Sequence, residues 1–214
     1  MPRSDEDNQQ IRAARRQEIL AAAVGVFAVK GIARTKVADI AAAAGLSHGL
    51  LYHYFRSKEE VFETMVDEML LAADADLAPS TERAVVRLRA AIGRRLTTLR
   101  RADATRIVMQ AVLQGEVSPA LHRRLSAHLL HIRSRLCELI ARAQAEGDVD
   151  DATDPDELAR ALIFLFRGLS LDVADDPLPL PEPETILRLL GAKSAPKPAA
   201  GRIARAPKPR RTGT

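Results

Sequence analysis

The residues best suited to chemistry in this 214-residue sequence lie close together between positions 47 and 53. Helical spacing leaves small and hydrogen-bonding side chains facing outward there, namely Ser47, His48, Gly49, Tyr52 and His53. A solvated helix usually carries Lys and Glu on its outer face, so this set needs another explanation. Hydroxyl and imidazole groups can bond to base edges, and a glycine permits close backbone approach. The pattern therefore predicts a face that enters a nucleic-acid groove.

Two short helices must position this face, one over about 36–43 and one over about 47–54. Gly45 supplies the bend between them. Helices of two turns are unstable alone, so this pair predicts a helix-turn-helix packed on a supporting helix at 12–30. The side chains that face inward by spacing are Val37, Ile40, Ala41, Ala44, Leu51 and Phe55.

Two strings in this segment, 35–41 and 44–59, resemble the DNA-binding signature of the TetR family of regulators. The resemblance covers about residues 12–62 and includes the Leu-Tyr-x-x-Phe core at 51–55 and the Ser-Lys-Glu start of the next helix. It implies an all-α fold, in which an N-terminal three-helix helix-turn-helix domain precedes a larger helical dimerisation and effector domain. His48 and Leu50 depart from the commoner family pattern, so the base preference is not carried over.

The resemblance assigns residues 47–54 to the major groove of double-stranded DNA. Within it, Ser47, His48, Gly49 and Tyr52 suit base edges or the sugar-phosphate backbone. The residues that look like phosphate contacts are Thr35, Lys36, His53, Tyr54 and Lys58. Thr35 and Ser47 also suit helix N-caps, Tyr52 and His53 also suit surface packing, and Tyr54 also suits packing beside Phe55.

The division of the chain follows from composition and helical spacing. We predict a disordered N-terminus at 1–10, the DNA-binding domain at 11–57, an all-helical effector-binding and dimerisation domain at 58–191, and a disordered basic tail at 192–214. Strand signals are nearly absent. The further helices are predicted at 58–77, 82–101, 104–115, 119–146, 155–174 and 184–190.

The helix predicted at 155–174 has apolar residues on more than one side. One side suits the core, and the other, with Phe164, Gly168 and Leu171, suits a partner. The resemblance implies that this helix and the next form a dimeric four-helix bundle, and such a homodimer suits a palindromic operator.

Four residues of the larger domain are candidates for an effector pocket, Met69, Met109, His128 and Phe166. The resemblance implies that helices of this region enclose a small molecule, and the aliphatic inner faces favour a largely apolar one. Core packing is the alternative for each of the four. His128 and His131 stand three residues apart but lack an apparent third ligand, so we predict no metal and no cofactor.

Charge is distributed unevenly along the chain. Residues 1–62 carry nine basic and seven acidic side chains, residues 63–191 carry 16 and 21, and residues 192–214 carry seven and none. Any nucleic-acid surface therefore lies toward the two ends. The basic tail also keeps open an alternative function, a nonspecific architectural DNA-binding protein.

Other classes of protein find little support. The first ten residues are almost wholly polar and no apolar run approaches a membrane span, so we expect a soluble cytoplasmic protein with no membrane partner. The single Cys137 allows neither an internal disulfide nor a thiolate zinc cluster. The sequence lacks a phosphate-cradling glycine loop, a nucleophile elbow and an HExxH motif, so we predict a regulator, by resemblance a repressor, rather than an enzyme.

Overall fold

The computed structural model describes residues 5–99, 104–170 and 179–193. Nine α-helices and no strand occur in these ranges, which confirms the predicted all-α fold. The helices are α1 (Asp5–Lys30), α2 (Val37–Ala43), α3 (His48–Tyr52), α4 (Lys58–Asp76), α5 (Ala84–Leu99), α6 (Ala104–Leu113), α7 (Pro119–Ala145), α8 (Pro155–Ser170) and α9 (Pro183–Leu189).

Both ends of the predicted folded region are wrong by a few residues. α1 begins at Asp5, so residues 5–10 are helical and not disordered as predicted. Asp7 lies in its first turn, where negative charge favours a helix because it opposes the macrodipole. At the other end, Lys193 donates its N–H to the carbonyl oxygen of Asp148 at 2.8 Å. Ala192 forms an isolated antiparallel bridge with Val149, so both residues belong to the fold. The rest of the predicted tail, 194–214, lies outside the described residues.

The first of two cores joins the short helices to their supports. Ile40 of α2 and Leu51 of α3 are fully buried against α1 and α4, and the rings of Phe27 and Phe62 meet edge to face at 5.8 Å. The same cluster includes Ile107, Val108 and Ala111 of α6 and Leu121 of α7. The hydrophobic core therefore continues past residue 57, and a shift of α4 or α6 must repack it.

The second core is formed mainly by side chains of α5, α7, α8 and α9. Its large, fully buried side chains are Leu88, Ile92, Ile140, Val149 and Ile186. Arg133 of α7 and Asp156 of α8 join two of these helices through paired contacts of 2.6 Å. The Arg133 guanidinium holds the pKa of the Asp156 carboxyl below its usual range. Buried side chains and this ion pair together hold the helices of the second core to one another.

Candidate nucleic-acid interface

The turn between α2 and α3 depends on Gly45. Its φ of +66° lies in the left-handed region that favours glycine. The N–H groups of Gly45 and Leu46 donate back to the carbonyl oxygens of Ala42 and Ala41 at 3.2 and 2.9 Å, which closes the end of α2. The bend predicted at Gly45 is confirmed.

The start of α2 differs from the prediction. Lys36 is the residue at the N-cap, and its N–H donates to the Asp39 carboxylate at 2.8 Å. Asp39 also pairs with Lys30 at 2.7 Å. The hydrogen bond from Lys30 and the one from the Lys36 backbone hold the pKa of Asp39 below its usual range. These contacts tie α2 to the end of α1.

Thr35 requires a correction. Its side chain is 2% exposed and its hydroxyl donates to the carbonyl oxygen of Gly31 at 2.6 Å. The structure therefore places this side chain neither on the surface, where a phosphate would meet it, nor at the cap of α2. Thr35 instead closes the turn that follows α1, which is a structural role.

The start of α3 agrees with the sequence. Ser47 is its N-cap, and the Ser47 hydroxyl accepts the N–H of Leu50 at 3.2 Å. Leu51 and Phe55 are buried, 0% and 1% exposed, as their spacing predicts. The cap and these two anchors determine which side of α3 faces solvent.

The opposite side of α3 carries five exposed residues that we call the recognition face, Ser47, His48, Gly49, Tyr52 and His53. The rings of His48 and Tyr52 meet edge to face at 4.9 Å, and Tyr52 is 47% exposed. A Cβ built on Gly49 would meet nothing within 4 Å, so the space next to this residue is open. The face is uncharged apart from what its two histidines carry, which suits hydrogen bonding to base edges.

The remaining predicted contacts fall around this face. Lys36 is exposed, whereas Tyr54 is half-buried and packs against the first core. The Lys58 ammonium donates to the carbonyl oxygens of Ile32 and Ala33 at 2.8 and 2.9 Å, so two of its three donors are used within the protein. Lys58 thereby joins the start of α4 to the turn after α1. The phosphate roles of Lys36, Tyr54 and Lys58 remain predictions.

Sequence reasoning missed two arginines on α1. Arg12 donates to the carbonyl oxygen of His53 at 3.3 Å, and Arg16 donates to that of Tyr54 at 2.5 Å. The Arg16 guanidinium also lies 4.1 Å from the centre of the Phe55 ring. Arg12 is 41 residues from its partner and Arg16 is 38 residues from its partner, so local spacing could not predict either pair. The four-residue separation of the two arginines was the available signal.

The four candidate pocket residues do not surround one described cavity. A cavity of about 200 Å³ lies between the end of α1 and the end of α6, and none of the four lines it. Met69 packs against the first core, and Phe166 packs against the second. Met109 of α6 is half-buried. Their pocket roles remain predictions.

A polar connection that the sequence did not indicate joins two of these candidates. Arg95 donates to the hydroxyl of Thr105 at 2.8 Å and lies 6.0 Å from the centre of the Phe166 ring. The Thr105 hydroxyl in turn donates to the Met69 sulfur at 3.5 Å. This chain of contacts runs from α4 through α6 and α5 to α8.

His128 lies at the seam between α7 and α4. Its Nδ1 is 3.7 Å from an oxygen of Asp74, and Nε2 of His131 is 3.7 Å from the same oxygen. Burial lowers the pKa of His128, and Asp74 opposes that shift less strongly. The Nε2 atom of His128 is buried and has no hydrogen-bond partner. Within the described ranges, no three His, Cys, Asp or Glu side chains are grouped to hold a metal ion.

The predicted partner-facing side of α8 is exposed. Phe164 is 66% exposed and Gly168 is also exposed, whereas Leu171 lies outside the described residues. Ala159 and Leu162, on the opposite side of α8, are buried in the second core. No helix in the described part of the chain is long and apolar enough to cross a membrane.

A capped, glycine-bent pair of short helices packed on α1, followed by a larger helical body, defines a helix-turn-helix regulator. The family model for bacterial regulatory proteins of the tetR family matches residues 19–65. The model for the C-terminal part of BetI-type transcriptional repressors matches residues 84–193, just over half of the chain. The chain belongs to the TetR family.

Comparisons with individual proteins agree with this assignment. The transcriptional repressor KstR2 of Mycolicibacterium smegmatis is 45% identical over 58 residues, which span 27% of this chain and 28% of the relative. The structure of Salmonella enterica GusR is 26% identical with a TM-score of 0.60, covering 83% of this chain and 93% of GusR. The structure of AibR with isovaleryl coenzyme A and operator DNA is 20% identical with a TM-score of 0.60, covering 84% of this chain and all of AibR, and shows a shared fold.

Proposed function

We propose that this protein binds a palindromic operator in double-stranded DNA and represses transcription, acting in the cytoplasm as a regulator and not as an enzyme. The observation that carries the proposal is the exposed recognition face on a five-residue helix whose two ends are both anchored. A helix that served packing alone would not present two contacting aromatic rings and a glycine to solvent. Placed in a major groove, His48 and Tyr52 meet base edges while Lys36 meets a phosphate.

Dimerisation is the second part of the proposal. The exposed apolar side of α8 supports it, since Phe164 would otherwise leave a large aromatic surface in water. A two-fold pairing through α8 would place two copies of the recognition face on one DNA molecule. That arrangement is the physical reason for expecting a palindromic operator.

Control by a small, largely apolar effector is the third part. The continuous first core supports it, because α6 and α7 contribute to the same packing as α2 and α3. A molecule that displaced α4 or α6 would therefore disturb the recognition face. Met69, Met109, His128 and Phe166 remain the proposed wall residues. The structure of AibR, which shares this fold, contains isovaleryl coenzyme A and operator DNA. That likeness supports control by an effector but not its apolar character, because coenzyme A is phosphorylated.

The test is binding of the purified full-length protein to DNA flanking its own gene, in competition with random DNA over a range of salt concentrations. We expect a protected palindromic site and a preference for it of at least about 10³ over random sequence. His48→Ala should cost about 1–3 kcal/mol on that site and change the preferred base at one position of each half-site. Equal affinity for every sequence would contradict operator recognition and support the architectural alternative.

A further inference from the structure

The C-terminal end of α3 is held by side chains from α1. Arg12 and Arg16 are four residues apart, so both project from one side of α1. Arg16 donates to the Tyr54 carbonyl oxygen at 2.5 Å, and Arg12 donates to that of His53 at 3.3 Å. These two carbonyls follow the last residue of α3, Tyr52, where the backbone runs out of intrahelical donors.

The physical chemistry of this end favours a cation. Carbonyl groups at a helix C-terminus carry partial negative charge, and a guanidinium both neutralises it and supplies hydrogen bonds. Five residues are too few for a helix to be stable by itself, so such contacts matter more for α3 than for a long helix. Each guanidinium donates to one carbonyl oxygen of the backbone that directly follows α3, and that of Arg16 also lies over the Phe55 ring.

Arg16 has the more restrained geometry of the two. Its guanidinium lies 4.1 Å from the centre of the Phe55 ring, and Phe55 is 1% exposed within the first core. The buried ring serves as a fixed platform, because a planar guanidinium stacks on an aromatic face. The position of the C-terminal end of α3 is therefore fixed by α1 as well as by the turn that follows α3.

We propose that Arg16, assisted by Arg12, is a positioning residue that sets the angle at which the recognition face meets DNA. The inference rests on the proposed function, since it concerns the orientation of the recognition face relative to DNA. Arg16 acts through the backbone of α3 and not as a phosphate ligand. Arg15 provides a matched control, because it is the adjacent arginine on α1, is exposed, and pairs with Glu18 instead of contacting α3.

The experiment compares Arg16→Ala with Arg15→Ala in the full-length protein, since both remove one positive charge from the same turn of α1. Without DNA, amide hydrogen exchange in segment 47–56 should be about tenfold faster in Arg16→Ala, because a charge-assisted hydrogen bond is lost. Operator affinity should fall about tenfold below that of Arg15→Ala, with the same dependence on salt in both variants. The exchange rate and the operator affinity of Arg16→Lys should lie between those of Arg16→Ala and the unmodified protein. Lysine keeps a hydrogen-bond donor but cannot stack as a planar group on the Phe55 ring.

Two results would overturn the proposal. Unchanged exchange in segment 47–56 would show that Arg16 does not hold α3. A salt dependence about one unit shallower in Arg16→Ala than in Arg15→Ala would show a direct phosphate contact. If Arg16→Ala fails to fold, Arg16→Lys against Arg15→Lys gives the same two readouts. If the unmodified protein shows no operator preference, the proposed function fails, whereas the exchange measurement still decides whether Arg16 holds α3.

Discussion

At the scale of single residues, one side-chain type lies in different environments at different positions of the chain. His48 lies exposed against Tyr52, whereas His128 is mostly buried beside Asp74. Lys36 is exposed, whereas Lys58 binds two backbone carbonyls. Residue type alone therefore does not separate a proposed DNA contact from a structural contact.

Lys58→Met tests the structural contact. Loss of the donor to the Ile32 and Ala33 carbonyls should lower the free energy of unfolding by about 1–2 kcal/mol, measured by denaturant titration. The dependence of DNA affinity on salt should become about one unit shallower if the ammonium also meets a phosphate. Lys36→Met is the control. Because the Lys36 side chain is exposed, this substitution should change the salt dependence of DNA affinity without lowering the free energy of unfolding. Equal stability of the two variants would contradict the structural role.

His128 gives a dependence of stability on pH. Burial lowers its pKa below the ordinary value of 6.5, so the unfolded chain takes up a proton before the folded protein does. Protonation then favours unfolding, and this residue's contribution to stability falls as pH drops through about 6.5 toward the lower pKa of the folded state. Asp74 and His131 face the same ring from α4 and α7.

The measurement is thermal unfolding between about pH 5 and pH 7.5 for the unmodified protein and His128→Asn. The variant should lose less stability on acidification. His122→Asn, on an exposed position of the same helix, is the control and should keep the original dependence. An unchanged pH dependence in His128→Asn would contradict the prediction.

At the scale of elements, the stability of the short helices depends on contacts at their ends more than on their length. α3 is capped by Ser47, bent away from α2 at Gly45, and contacted at its C-terminal end by arginines from α1. Gly49 lies inside the helix with ordinary helical geometry, so nothing in the DNA-free protein requires a glycine there. Its small size matters only when another surface approaches.

Gly49→Ala should separate stability from binding. An alanine inside a helix is favoured over glycine by about 0.5–1 kcal/mol, and its Cβ would meet no other atom within 4 Å, so the thermal midpoint should not fall. Operator affinity should fall, because the methyl group would separate the backbone from the DNA groove. Gly45→Ala is the contrasting variant, since φ is +66° there and the substitution should destabilise the fold. Unchanged operator affinity in Gly49→Ala would argue against close backbone approach.

At the scale of the whole molecule, the two cores hold different sets of helices together. The second core holds α5, α7, α8 and α9 together, and the first core binds the helix-turn-helix to α4 and α6. The side of α8 that faces away from the second core is left apolar and exposed at Phe164. In the proposed dimer, a second copy of the chain covers this side of α8.

Phe164→Glu should convert the protein to a monomer, because the substitution places a charge in the proposed contact. Sedimentation at micromolar concentration should show twice the chain mass for the unmodified protein and about the chain mass for the variant. Leu113→Glu, which replaces a similarly exposed apolar residue at the end of α6, should remain dimeric. A Phe164→Glu variant that stays dimeric would place the interface elsewhere.

The sequence by itself determined the features that depend on neighbours within one turn. Helical periodicity predicted the order of all nine described helices, Ser47 was a suitable cap, Gly45 marked the bend, and the four-residue spacing of Leu51 and Phe55 predicted their burial. These features are local because backbone hydrogen bonds and caps join residues three or four apart.

Only the tertiary structure decided which polar groups meet across the fold. Arg12 and Arg16 find carbonyls 41 and 38 residues away, and Lys58 finds carbonyls 26 and 25 residues away. Thr35, which the sequence predicted as a phosphate contact or an N-cap, is 2% exposed in the folded protein. Such contacts depend on the packing angle between helices, which side-chain interdigitation determines and which one-dimensional spacing does not encode.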